Sequence, residues 1–177
     1  MEINKALSIL EEGKDHLERI RVDYSPGALA PVISASTFDL HYNKLYKKYV
    51  DNYNRGENKS FNEAGAYLHG IYFSQFGRVR GIKPYGQILN LIERKFDNFV
   101  DFKKSFKEQA LKLSGSGWVY LSRSGEIKTI QNHAKRTDIA LLVDMWEHAY
   151  INDHHSRDRY LDAIWKIIDW NAINSRL

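Results

Sequence analysis

Hydrophobic periodicity shifts from helical to strand-like at Gly115-Ser116-Gly117, and no other feature constrains the fold as much. Before that point apolar residues recur at helical spacing; after it they alternate or run together, as in strands. Residues 1–23 predict an amphipathic helix, with Ile3, Leu7, Leu10, Leu17 and Ile20 at roughly helical spacing. Tyr24-Ser25-Pro26-Gly27 and Pro31 break the pattern. Ser36 or Thr37 can cap a helix running to Asn54, with Asp39 favourable in its first turn. After a turn at Asn54-Arg55-Gly56-Glu57-Asn58, a second helix spans Phe61 to Phe76 and forms an antiparallel hairpin with the first. Gly77 to Gly86 reads as a loop, basic through Arg78, Arg80 and Lys83, and helices over 87–96 and 100–113 follow.

Beyond the glycines, Trp118-Val119-Tyr120-Leu121 alternates as a strand. Ser122 to Glu126 reads as a hairpin turn and Ile127 to His133 as a second strand. The apolar run Ile139-Ala140-Leu141-Leu142-Val143 reads as a buried third strand, and a closing helix covers Arg159 to Trp170. This order predicts an α+β fold: an N-terminal long helical hairpin, then a C-terminal three-stranded antiparallel sheet flanked by helices. The expected division is an extra helix over 1–23, a helical hairpin domain over 24–86 and an α/β C-terminal domain over 87–177.

Composition narrows the chemistry. The chain has no cysteine, which excludes disulfides and thiolate metal sites. Any metal must then be held by nitrogen and oxygen, and a reducing cytoplasm fits. Hydrophobic residues make up 43% and charged residues 27%, a soluble globular balance. No apolar run approaches the roughly 20 residues of a membrane span, and Met1 to Val22 is too charged for a secretory signal. The net charge of +4 is spread among interleaved acids and bases. That disfavours nucleic acid as a partner, although a local positive field could steer a small anion.

Asp144-Met145-Trp146-Glu147-His148 puts a carboxylate at the exit of the buried strand, with a histidine one helical turn further on. A buried carboxylate is costly unless it is paired or ligates a metal. Alone, the motif reads as a helix N-cap and a surface histidine. His41 lies on the first long helix, with Leu45 and Tyr49 following near the same face, and His69 lies on the apolar face of the second. Singly, each reads as a satisfied core histidine. Together, the four offer three nitrogens and one carboxylate with room for solvent, a set that suits iron, manganese or zinc. Spacing leaves their convergence open.

Several motifs occur in a telling order. Ala28-Leu29-Ala30-Pro31-Val32-Ile33-Ser34 precedes Phe38-Asp39-Leu40-His41-Tyr42, and Phe61-Asn62-Glu63-Ala64 leads to His69. Phe99-Val100-Asp101-Phe102-Lys103, Gly115-Ser116-Gly117-Trp118, Asp144 to Tyr150 and Trp165 to Trp170 follow. Over residues 24–177 this series resembles the iron/manganese superoxide dismutase family, and Asp144 to Tyr150 fits its signature DxWEHAY.

The resemblance implies a redox enzyme that turns superoxide into dioxygen and hydrogen peroxide. It implies one iron or manganese ion per chain, held by His41, His69, Asp144 and His148 with a solvent molecule as fifth ligand. Tyr49 matches a gateway tyrosine that relays protons, where the plainer reading is a bonded core tyrosine. Trp118 and Trp146 match tryptophans lining the metal pocket. His133 takes the place of the group that hydrogen-bonds the metal's solvent, with Gln131 as its rival on the same strand face. Gly65 stands where iron-type members commonly have glutamine, leaving space for a group from the sheet. Glu147 matches a glutamate that bonds a ligand histidine of the partner in a two-fold homodimer. Lys44 and Arg157 match basic residues near the entry funnel.

The chain also departs from the family. Leu45 and Ile151 replace a histidine and a tyrosine that join the relay across the dimer interface, Leu68 replaces an asparagine, and Phe73 replaces a tryptophan. Residues 1–23 match no family segment. The alternative is a metal-free structural or interaction protein on the same fold; a zinc hydrolase ranks last, because no separate general base is evident.

Overall fold

The computed structural model describes residues 16–77 and 81–177. Arg78 and Arg80 of the expected basic loop lie outside these residues, as do residues 1–15 of the expected first helix. The rest of that helix is not formed: residues 16–23 run without helical turns. Side chains from the hairpin satisfy their backbone instead. Asn54 accepts from the Leu17 N–H (2.8 Å) and donates to the Leu17 carbonyl (2.9 Å). The Tyr46 hydroxyl accepts from the Ile20 N–H, and the Tyr42 hydroxyl donates to the Ile20 carbonyl. Leu17, Ile20 and Tyr24 are buried, so their helix-like spacing reports a strap laid over the hairpin.

The first arm of the hairpin is α1 (Ala35–Phe38), a π-helical segment (Asp39–Tyr46) and α2 (Lys47–Asn54). Ser34, rather than Ser36 or Thr37, caps it, accepting from the Thr37 N–H. The Asp153 carboxylate takes the Ser34 N–H at 3.0 Å, placing negative charge at the helix start. The π segment widens the helix where His41 sits, a feature frequent at functional sites. Gly56 at φ +80° turns the chain into α3 (Lys59–Ser74). Every residue of α3 from Ala64 to Phe73 is buried, because the first arm covers one side and the sheet another.

Helices α4 (Gln87–Phe96) and α5 (Phe99–Lys112) follow, the latter capped by Asn98. Then come β1 (Gly117–Ser122), β2 (Ile127–Gln131) and β3 (Ile139–Asp144), antiparallel in the order β2-β1-β3. Strands β1 and β3 are buried throughout, as the continuous apolar run predicts. The register sets Trp118 opposite Asp144. Strand β2 stops at Gln131, short of the expected His133, because Asn132 adopts φ +53° and donates its N–H to the Ser116 carbonyl.

After a 3-10 turn at Glu147–Ala149 come α6 (Ile151–His154) and α7 (Arg157–Ala163). The single closing helix expected over 159–170 is divided. A 3-10 turn (Ile164–Ile167) ends α7, Ile168 bridges to Phe76, and Asp169 caps α8 (Trp170–Asn174). Tertiary bonds drive the break: the Asp169 N–H goes to the Gln75 carbonyl and the Gly77 N–H to the Ile167 carbonyl. The α+β architecture is the expected one, and no helix among the described residues is long and apolar enough to cross a membrane.

Candidate metal centre

Four elements deliver the four ligand candidates. His41 comes from the π segment, His69 from α3, Asp144 from the last position of β3, and His148 from the 3-10 turn just beyond. The Trp146 N–H donates to Asp144 Oδ1 (2.8 Å), which folds the chain back and leaves Oδ2 free. Oδ2 lies 3.1 Å from His41 Nε2, 3.3 Å from His148 Nε2 and 3.9 Å from His69 Nε2. All four atoms fall within 4.8 Å of one another, and none has a hydrogen-bond partner. His41, His69 and Asp144 are fully buried and His148 partly so. Four unbonded donors so arranged fit a shared cation, since ligands about 2 Å from one ion stand roughly 3–4 Å apart.

The electrostatics agree. Burial pushes His41 down to about 4 and His69 well below the usual histidine value, so both stay neutral. Burial works against ionising Asp144, yet His148 and His41 beside it hold the carboxyl well below the usual carboxylate range. His69 Nδ1 faces the Gly65 carbonyl at 2.7 Å. A carbonyl only accepts, so Nδ1 carries the proton and Nε2 presents its lone pair to the centre.

His133 and Tyr49 stand beside this group. Trp118 Nε1–H donates to His133 Nδ1 (3.1 Å), fixing the proton on the buried, unpartnered Nε2. The His133 ring stacks on Trp146 (4.9 Å between centroids) and meets Tyr49 edge-on at 4.8 Å. Burial pushes His133 down to about 4. Half-buried Tyr49 is pushed up to about 12, by burial first and then by Asp144. A Cβ at position 65 would lie 2.8 Å from Tyr49 Cδ1. The Tyr49 ring lies closest above Gly65, and His133, from just beyond β2, packs against that ring.

Other candidates lie elsewhere. Gln131 is exposed and donates to the Ser114 and Ser116 carbonyls, so the turn at Asn132 separates it from His133. Arg157 donates to the Leu113, Gly115 and Met145 carbonyls, tying the chain before β1 to the exit of β3. Lys44 is exposed, 3.8 Å from Asp39. The Glu147 carboxylate is exposed and has no partner among the described residues. Leu45 is half-buried and Ile151 is 40% exposed. Sequence reasoning missed Tyr46, stacked on His69 at 5.7 Å, and a buried pair, Gln75 and Arg176, behind the site. A polar Gln75 ending the apolar run of α3 was the available signal.

Comparison with known proteins gives a consistent result. The family profile described as iron/manganese superoxide dismutases, C-terminal domain, matches residues 84–176. The profile for the alpha-hairpin domain of the same family matches residues 16–64, so residues 16–23, set apart in the sequence reading, belong to the matched region. The chain is 34% identical to a superoxide dismutase [Mn/Fe] of Porphyromonas gingivalis, over 90% of this chain and 98% of that protein. It is 34% identical to a superoxide dismutase [Fe] of Bacteroides fragilis over the same shares, 90% and 98%. A superoxide dismutase [Fe] of Escherichia coli is 32% identical, over 87% of this chain and 94% of that protein.

Proposed function

The chain belongs to the iron/manganese superoxide dismutases, and we propose that it converts superoxide to dioxygen and hydrogen peroxide at a mononuclear iron or manganese centre held by His41, His69, Asp144 and His148. The carrying observation is the convergence of four buried donor atoms with no hydrogen-bond partner. A bound ion of either metal supplies one-electron redox chemistry, and three imidazoles with one carboxylate suit both.

The surrounding residues manage protons and water. His133, with its proton on Nε2, offers a fixed donor to solvent at the centre. Tyr49 keeps its hydroxyl proton at neutral pH and is placed to relay protons from bulk water to the bound anion. Trp118 and Trp146 hold His133 and keep the pocket dry. With Leu45 and Ile151 in the chain, proton delivery rests on Tyr49 and water. Arg157 acts by clamping backbone rather than by facing the substrate.

We read the enzyme as a homodimer in the cytoplasm. The exposed, unpartnered Glu147, next to His148 and near exposed Ile151, supports a two-fold contact in which it bonds the ligand histidine of a second copy. Light scattering should give twice the chain mass, and a monomer would refute the dimer.

Metal analysis and a dismutation assay on one purified sample test the main reading. About one iron or manganese per chain with rapid dismutation is expected. A folded protein that stays metal-free and inactive after reconstitution with each metal would overturn it.

A further inference from the structure

Strand β3 is one of the two edge strands of the sheet yet is completely buried. Its outward backbone groups therefore need partners from outside the sheet. The Gln75 amide supplies them at Leu142: Oε1 accepts the Leu142 N–H (3.1 Å) and Nε2 donates to the Leu142 carbonyl. One side chain thus replaces a ladder strand. Arg176 continues the cover, donating through Nη1 to the Ala140 carbonyl at 3.0 Å and to Gln75 Oε1 at 3.4 Å. Its Nη2 turns the other way, to the Ile71 carbonyl (3.0 Å) and Ser74 Oγ (2.6 Å) at the end of α3.

Arg176 is buried with no carboxylate within ion-pair reach among the described residues, and burial pushes its guanidinium down to about 10. Carbonyls at the C-terminus of α3 compensate part of that charge. Even so, a buried charge is a poor route to stability, and its best-attested use is to fix one arrangement over others. Here the arrangement concerns the metal donors. Ile71 follows His69 by two residues, and Leu142 precedes Asp144 by two. Residues 142 and 144 lie on the same side of the strand, so a slip at Leu142 carries directly to the carboxylate.

We propose that Gln75 and Arg176 form a clasp that sets the spacing between the helix bearing His69 and the strand bearing Asp144, and so act as positioning residues for the metal centre. The clasp rests on the reading of the four donors as a metal site. Sliding α3 along β3 would break its bonds at both ends, whereas apolar contacts would tolerate the shift.

Gln75→Leu is the test, with manganese(II) as probe. Phe106→Leu, in the aromatic cluster with Phe102 and Trp165, serves as a destabilised control remote from the donors. Metal-free melting temperature, manganese(II) affinity by chelator competition, and the paramagnetic resonance spectrum of the bound ion are measured for each. Gln75→Leu should lose about tenfold in affinity, as other groups that orient metal ligands do, with an altered spectrum. Phe106→Leu should melt earlier with affinity and spectrum unchanged. If Gln75→Leu does not fold, Gln75→Glu keeps the acceptor for the Leu142 N–H and removes the donor, and a smaller loss in the same direction is expected. Wild-type affinity and spectrum in the Gln75 variant would overturn the clasp. Failure of the wild-type protein itself to bind manganese(II) or iron(II) would instead overturn the metal reading beneath it.

Discussion

The Nε2 of His133 is buried without a partner, and it carries the ring proton because Trp118 donates to Nδ1. Its chemistry was legible as a histidine in the right region. Its position was not, since the choice between His133 and Gln131 turned on a single left-handed residue, Asn132. Gly65 is the opposite case, a small residue whose purpose is a neighbour's position. Gly65→Ala gains up to about 1 kcal/mol of helix propensity. The added Cβ then meets the Tyr49 ring at 2.8 Å, and such overpacking costs about 1–3 kcal/mol. The clash should win, giving a net loss of about 1 kcal/mol by denaturant titration. On the proposed relay role of Tyr49, displacing its ring should also change the alkaline limb of the dismutation pH profile. A variant more stable than wild type, with the same pH profile, would show that the ring has room to move.

Elements were read well where one face meets the core and poorly where the backbone is satisfied from outside. Helix α4 and strand β3 were legible because their patterns carry the signal alone. The segment over 16–23 has helical spacing but no helix, because Asn54, Tyr46 and Tyr42 bond its backbone from the hairpin. Asn54→Ala removes both partners of the buried Leu17 backbone. Leaving such groups unpaired costs about 1–3 kcal/mol, so the melting temperature should fall by several degrees while manganese content stays at wild type. Unchanged melting would mean that the strap adds nothing to the fold. The closing helix failed for the same reason, broken at Asp169 by a bond to the Gln75 carbonyl.

At the scale of the whole molecule, burying several histidines makes stability depend on pH. Above about pH 6.5 these imidazoles are neutral whether folded or unfolded. Below it the unfolded chain takes up protons that His41 and His133 refuse until about pH 4. The metal-free protein should therefore lose stability between about pH 6.5 and 4. Bound metal should be released over the same range, because protons compete for its ligands. Thermal melts of metal-free and loaded protein from pH 8 to 4 check both, and a flat profile would mean that the histidines are solvated. The sequence by itself indicated most of the order of helices and strands and limited any metal site to nitrogen and oxygen donors, because periodicity and side-chain type are local properties; the four candidate donors came from residue type together with the family resemblance. Only the tertiary structure decided that those four donors meet, that His133 and not Gln131 stands beside them, and that Gln75 and Arg176 hold the ligand strand from behind. Each depends on chain segments far apart in sequence satisfying one another's buried polar groups, which no local pattern encodes.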